Sequence, residues 1–193
     1  DGDGTDYFLL FSDAVVRVGS DGTQLAKSGD MGGRLLQLAC ADGAVYVCVE
    51  GDRIYQTEKL VRLNAQTLEF EAELSCAGLD IQGMGTAADG TLLLISGEYL
   101  LRPDFEAGTM RAILHWADNA NTSVNNYRSI LETEPGFFAW NSDVEAACFY
   151  EKLPDGETLE EPTVITLFAG AGSYEIELAA ASFQKLYPQY RID

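Results

Sequence analysis

Leu35-Leu36-Gln37-Leu38-Ala39-Cys40-Ala41-Asp42-Gly43-Ala44-Val45-Tyr46-Val47 reads as a strand, an Asp-Gly step and a returning strand. Glycine tolerates the positive φ that a two-residue reversal needs, so an Asp-Gly step between apolar runs marks a hairpin. The pattern returns at Ala88-Asp89-Gly90-Thr91-Leu92-Leu93-Leu94 and at Glu134-Pro135-Gly136-Phe137-Phe138-Ala139-Trp140. Gly43, Gly90 and Gly136 are spaced by 47 and 46 residues, which makes the stretch a repeat and not an isolated hairpin.

A second hairpin belongs to each copy. Val61-Arg62-Leu63-Asn64-Ala65-Gln66-Thr67-Leu68-Glu69-Phe70 is matched by Leu101 to Met110, by Tyr150 to Leu159 and, near the start, by Val16 to Leu25. A threonine opens the returning strand of each: Thr23, Thr67, Thr109 and Thr158. The second copy places strands at 35–41, 44–50, 59–64 and 67–74. The third places them at 81–88, 91–96, 99–103 and 109–116, the fourth at 127–133, 137–141, 145–152 and 157–161. Tyr7 to Phe11 serves as the second strand of a first copy that lacks its innermost one. The apolar inner hairpins pack copy on copy; the outer hairpins, with their Arg, Glu and Gln, form a solvated rim.

Four strands every 40–50 residues is the period of a propeller blade, and over residues 7–161 the chain resembles the broad β-propeller family. The predicted fold class is therefore all-β: blades of four antiparallel strands in about four copies, the first incomplete, followed by a β-α segment. A generic meander or sandwich is the alternative. Closed rings need about four blades, so either Val164 to Phe168 supplies the missing strand or further blades lie before Asp1. The start at Asp1 without a methionine suggests a processed or truncated product.

Composition narrows the function classes. Of 193 residues, 47% are hydrophobic, enough for a sizeable core, and 19 are glycine, as frequent turns require. The net charge of -19 repels phosphate backbones and anionic headgroups, so neither nucleic acid nor direct membrane insertion is expected. No apolar run is long enough to span a bilayer. Cys40, Cys48, Cys76 and Cys148 sit among apolar neighbours without a C-x-x-C pair, and read as buried free thiols. A Cys40–Cys48 disulfide is the minor alternative, since the two are not opposite in the simplest hairpin register.

The pattern breaks after Glu160-Glu161-Pro162. Val164-Ile165-Thr166-Leu167-Phe168-Ala169 is a fully apolar strand, as in a sheet covered on both faces. Tyr174 to Leu186 then carries Ile176, Ala179, Ala180, Phe183 and Leu186 at helical spacing, with Ser173 as cap and Pro188 as stop. Tyr190-Arg191-Ile192-Asp193 begins the next strand. The order Ile165 to Gly170, a Gly/Ser loop, Phe183-Gln184-Lys185-Leu186-Tyr187-Pro188 and Tyr190-Arg191-Ile192 resembles the N-terminus of a bacterial extracellular solute-binding protein, the lipid-anchored receptor of an ABC importer.

That resemblance covers about thirty residues and divides the chain into a propeller-like domain, 1–161, and the truncated start of a solute-binding domain, 162–193. It implies that Gly170, Ala171, Gly172, Ser173 and Tyr174 border a ligand cleft, where backbone N–H groups at a helix start meet a polar ligand oxygen. A plain helix cap is the competing reading. It further implies a small-molecule solute of the carbohydrate class bound by the full-length protein, an ABC permease as partner, and an extracellular, surface-anchored location.

Nothing in the sequence forms a catalytic constellation, and no enzymatic activity, metal or cofactor is expected. His115-Trp116-Ala117-Asp118 suggests an acid–base pair, but a lone histidine at a strand end is commonly structural. Asp1-Gly2-Asp3-Gly4-Thr5-Asp6 resembles the start of a calcium loop, yet Ser12 stands where the bidentate glutamate belongs. Glu69/Glu71/Glu73 and Glu157/Glu160/Glu161 would suit glycoside hydrolysis only if they faced a central pocket. Tyr127, Phe137, Phe138, Trp140 and Tyr150 read mostly as core by alternation. The expected role is a non-catalytic accessory domain of a secreted solute-binding receptor. The alternatives are a propeller-type glycoside-acting enzyme and a surface interaction module unrelated to transport.

Overall fold

The computed structural model describes residues 6–52, 54, 56–116, 127–141, 146–152, 163–166, 176, 179, 180, 182, 183, 186, 187 and 190–192. Strands β1 (Asp6–Leu10), β2 (Val15–Gly19) and β3 (Gln24–Lys27) form a three-stranded antiparallel sheet, blade 1. Strands β4 (Leu35–Ala41), β5 (Ala44–Glu50), β6 (Thr57–Asn64) and β7 (Phe70–Ser75) form the four-stranded blade 2. Blade 3 comprises β8 (Ile81–Thr86), β9 (Leu92–Ser96), β10 (Tyr99–Asp104) and β11 (Thr109–His115). Blade 4 comprises β12 (Tyr127–Thr133), β13 (Gly136–Asn141) and β14 (Ala146–Glu151); its expected fourth strand, 157–161, lies outside the described residues.

The hairpin that opened the argument is built as its dipeptide demands. Asp42 and Gly43 have φ of 49° and 67°, both in the left-handed region that a twisted two-residue reversal requires. Ala41 then faces Ala44, and Cys40 faces Val45. Cys48 pairs with Gln37, so Cys40 and Cys48 are not cross-strand neighbours, and Cys40, Cys48 and Cys76 are free thiols. Cys48 and Cys76 are fully buried, but Cys40 is only half-buried, short of the burial expected for it. The side chain of Cys148 lies outside the described residues.

The blades succeed one another radially. The innermost strands β8 and β12 run parallel, with Leu131 opposite Thr86, which joins blades 3 and 4 into one seven-stranded sheet. The approach is close because β8 carries glycine there: a Cβ on Gly85 would sit 2.0 Å from the carbonyl oxygen of Ile130. Each blade covers the next with one face. We call the face toward the following blade leading and the other trailing. Between blades 1 and 2, Val15 packs with the trailing residues Val45, Val47, Val49, Val61 and Leu63, against which Phe8 and Leu10 also lie. Between blades 2 and 3, Tyr46, Cys48 and Leu60 meet Met84, Leu92, Leu94 and Leu101. Between blades 3 and 4, Leu93, Ile95, Leu100 and Trp116 meet Tyr127, Ile130, Phe137 and Ala139. Strict alternation along β5 and β9 supplies both faces at once, which is why these strands are apolar throughout.

Several expectations change on contact with this architecture. Thr109 opens β11, but Thr23 sits just before β3 and Thr67 lies in the turn before β7, where its hydroxyl accepts from the backbone N–H of Glu69. Local side-chain bonds to the backbone hold a threonine in a turn as readily as β propensity places it in a strand. Phe138 and Trp140 are exposed and not core, because they lie on the leading face of blade 4, which no other described residues cover. Of the segment Val164 to Phe168, the strand residues described, Val164 and Ile165, do not pair with blade 1, and Leu167 and Phe168 lie outside the described residues. Instead β15 (Thr163–Ile165) pairs in parallel with β16 (Tyr190–Ile192) in a separate two-stranded sheet, the β-α-β use of that segment.

The described positions between these two strands, 176, 179, 180, 182, 183 and 186, are helical. Ala180 is buried and Phe183 stacks near Tyr187 and Tyr190 at 4.9 and 6.0 Å. Ile176, Ala179 and Leu186, expected on the same buried face, are exposed, as are Val164 and Ile165. Two strands offer too little surface to cover both faces of the strand or a full helical stripe.

Candidate functional site

The rim is where the sequence reading falls short. Strands β2, β6 and β10 each carry an arginine at one register position, the strand before the last of blades 1, 2 and 3. Arg17 stands between Phe8 and Ala26, Arg62 between Tyr46 and Ala72, and Arg102 opposite Arg111. All three occupy the leading face, so they point toward the seams between blades, with side chains 15%, 33% and 26% exposed. Arg17 bonds the Asp6 carboxylate through Nε and Nη2, and its Nη1 donates to the Gln66 carbonyl of blade 2 at 2.7 Å. Arg102 Nη1 donates to Asp89 Oδ2 at 2.8 Å, and its Nη2 lies 3.5 Å from Glu132 of blade 4. Glu132 is also bonded by Lys152. The signal was present as Val16-Arg17-Val18, Val61-Arg62-Leu63 and Leu101-Arg102-Pro103. Blade 4 breaks the series: cross-strand pairing puts Phe149 at this position, two residues before the Glu151 that the sequence alignment suggested.

The seam between blades 2 and 3 opens into a cleft of about 560 Å³, within the range of small-molecule sites. It lies on the side of the blades that carries the Asp-Gly turns. Tyr46 of blade 2 and Phe105 of the β10–β11 turn meet there with ring centroids 5.8 Å apart. Arg62, Arg102 and Arg111 line it together with Asp42, Asp104 and Glu106. The walls are held by backbone bonds: the Asp42 N–H donates to the Gly90 carbonyl at 2.9 Å, tying the two blades' inner turns. Asp104 Oδ1 accepts from the N–H groups of Glu106 and Ala107, shaping the turn that presents Phe105.

Glu71 lies 3.1 Å from Arg62 Nε without completing a hydrogen bond, so Nε of Arg62 and Nε of Arg102 are both buried donors without an acceptor among the described residues. Burial raises the Tyr46 phenol above its ordinary value, keeping its hydroxyl a proton donor. Beside the cleft, Asp89 is held down to about 2, first by the Thr91 hydroxyl and Thr91 N–H and then by Arg102. Asp21 is lowered by the same Asp-Gly-Thr geometry at Thr23.

The other candidates separate. His115 stacks on Tyr99 at 4.8 Å, and the neighbouring Trp116 is buried with its indole N–H on the Ser96 carbonyl; Asp118 lies outside the described residues. Glu69, Glu71 and Glu73 belong to the outer hairpin of blade 2, where Thr67, Asn64 and Lys59 engage them. Glu157, Glu160 and Glu161, residues 1–5 of the acidic terminus, and the loop Gly170, Ala171, Gly172, Ser173 and Tyr174 all lie outside the described residues. Among the described residues no group of three His, Cys, Asp or Glu side chains is placed to hold a metal ion, and no helix is long and apolar enough to cross a membrane.

Comparison with solved structures agrees with the radial geometry. The β-propeller domain of Cps50 (Swd1) from Myceliophteria thermophila superposes with a TM-score of 0.54 at 9% identity, covering 78% of this chain and 48% of that one. The fold is propeller-like. KlHsv2 with its loop 6CD replaced by a Gly-Ser linker superposes with a TM-score of 0.50 at 10% identity, covering 74% and 52%. The chain thus spans about half the length of these structures. No protein-family model and no curated protein matches the sequence.

Proposed function

We propose that this chain is a binding module whose ligand is a neutral, hydroxyl-rich molecule of the sugar class, held in the cleft between blades 2 and 3. One observation carries the reading: the cleft is lined by residues of both charges, Arg62, Arg111, Asp42 and Glu106 among them, beside the Tyr46–Phe105 ring pair. A free anion entering would meet the carboxylates and a free cation the arginines. A polyol satisfies both kinds of group and presents its C–H face to Tyr46 and Phe105.

In the whole protein the module serves as a non-catalytic accessory domain of a secreted solute-binding receptor, delivering to an ABC permease. What supports this finer reading is the resemblance carried by residues 165–192, together with the parallel pairing of β15 and β16 across a helical segment. The test is calorimetry against a panel of neutral oligosaccharides. Binding by the parent chain and its loss in Arg111→Ala and Phe105→Ala, both at the open side of the cleft, is the expected result. No heat with any neutral saccharide, or binding indifferent to both substitutions, overturns the proposal.

A further inference from the structure

Three Asp-Gly steps fall among the described residues: Asp21-Gly22, Asp42-Gly43 and Asp89-Gly90. An aspartate before glycine can react with its own backbone. The glycine nitrogen attacks the aspartyl Cγ and closes a five-membered succinimide. The attack needs a carboxyl group free to take a proton, and a glycine N–H free to lose one. Two of the three steps are denied both. Asp21 Oδ1 accepts from the Thr23 N–H, and its Oδ2 from the Thr23 hydroxyl, each at 2.9 Å. Asp89 Oδ1 accepts from the Thr91 N–H at 3.0 Å and from the Thr91 hydroxyl at 2.6 Å, while Arg102 bonds its Oδ2. The glycine amides are held as well. Gly22 donates to the Gly19 carbonyl and Gly90 to the Ala87 carbonyl, each at 2.9 Å.

Asp42-Gly43 is built differently, because its turn is the tight two-residue reversal with both φ positive. The next residue is Ala44, which has no hydroxyl and pairs with Ala41 in the ladder. Among the described residues neither the Asp42 carboxylate nor the Gly43 N–H makes a hydrogen bond, and both residues are exposed. Hydrogen bonds to a carboxylate favour its ionised form. They hold Asp89 at about 2 against 3.8 ordinarily, so at neutral pH its protonated fraction is smaller than an ordinary aspartate's by more than about tenfold.

We propose that Asp42 is a modification site, at which the folded chain converts without an enzyme from aspartate to isoaspartate. The bond from Gly43 N to Asp42 Cγ forms as a Cγ–O bond breaks, and the amide proton and the carboxyl hydroxyl leave as water. A water molecule then adds to the main-chain carbonyl carbon of Asp42 and breaks its bond to the Gly43 nitrogen. The peptide now runs through Cγ, and the former main-chain carbonyl becomes the free carboxylate. The water lost in the first step is regained in the second, and no oxidant or reductant takes part. The product has one more methylene in the main chain of a two-residue turn. That turn ties blade 2 to blade 3 through the Asp42 N–H on the Gly90 carbonyl, so the modification loosens the seam between them. Nothing in this depends on what occupies the cleft.

Incubation of the 193-residue chain for weeks at neutral pH tests it, with electron-transfer fragmentation of the digested protein locating each isoaspartate. The expected result is accumulation at Asp42 at least about tenfold faster than at Asp89, with Asp21 slow as well. In denaturing urea the three rates converge, because the fold no longer holds the Asp21 and Asp89 carboxylates. Thr91→Val, whose folding far-UV circular dichroism checks, removes the hydroxyl from Asp89; it raises the rate at Asp89 and leaves that at Asp42 unchanged. The isoaspartyl form, separated by ion exchange, melts below the parent. Equal rates at the three steps of the folded chain, or the same ranking in urea, overturn the proposal. An isoaspartyl form that melts with the parent overturns the loosening of the seam.

Discussion

Replacing Gly85 by alanine adds one methyl group at the place where the radial arrangement is tightest. An ideal Cβ there would lie 2.0 Å from the carbonyl oxygen of Ile130 and 2.6 Å from its Cγ2. The carbonyl belongs to the backbone of β12, so no rotamer change relieves the clash; the innermost strands of blades 3 and 4 must separate. Overpacking in a well-packed interior costs about 1–3 kcal/mol, and a contact this short against backbone places Gly85→Ala at about 3 kcal/mol. For a chain of this size that is a fall of about 6–12 °C in Tm. Gly29→Ala is the control: nothing lies within 4 Å of its added Cβ, and the residue is exposed. It should leave stability unchanged or raise it by about 0.4–1 kcal/mol through the unfolded chain. Urea titration followed by Trp116 fluorescence measures both. A Gly85→Ala midpoint within about 0.5 kcal/mol of the parent, the ordinary range for surface changes, would mean that β8 and β12 are not side by side.

Acid titration examines the Asp-Gly-Thr turn of blade 3. Asp89 ionises at about 2 in the folded chain against 3.8 ordinarily, so the unfolded chain binds more protons between those values, and stability falls as pH drops through that window. Carboxyl NMR should place its midpoint near 2, and Thr91→Val should raise that midpoint more than Arg102→Ala; the opposite order would contradict the assignment of Thr91 as the main cause. Burial holds the Cys48 and Cys76 thiols at about 12, so iodoacetamide at pH 8 should label half-buried Cys40 well before either. Cys40 and Cys48 share the tryptic peptide 35–53, so fragment-ion mass spectrometry gives the order, and early labelling of Cys48 would refute the packing of the seam between blades 2 and 3.

Strand placement was legible because one local device recurs. The Asp-Gly step fixes where a hairpin reverses, and uninterrupted apolar runs such as Val45 to Val49 tell a strand covered on both faces. The boundaries predicted for blades 2 to 4 fall within a few residues of β4 to β14. Alternation also sorted residues into two faces correctly, but it carries no record of whether a face has a neighbour. Phe137 and Phe138 look alike in sequence; one faces blade 3 and the other faces solvent. The arginines were misread for a related reason. Arg17, Arg62 and Arg102 carry the composition of a rim, and only the repeat register places them in the seams. The cleft lies between a turn of one blade and the inner hairpin of its neighbour, two segments about sixty residues apart in sequence that no local pattern connects. The dual use of Val164 to Phe168 was also undecidable locally, since an apolar run pairs equally well with either edge.

A cysteine pair at Thr86 and Leu131 puts the radial arrangement to its most direct trial. These residues face each other across the parallel contact of β8 and β12, and a disulfide forms only when Cα atoms approach to about 4.4–6.8 Å. Mild oxidation of Thr86→Cys/Leu131→Cys should join the two sites in one cross-linked peptide, identified by mass spectrometry and abolished by reduction. If blades 3 and 4 were instead two layers packed face to face, about 10 Å apart, both thiols would stay free, and the propeller description would be wrong.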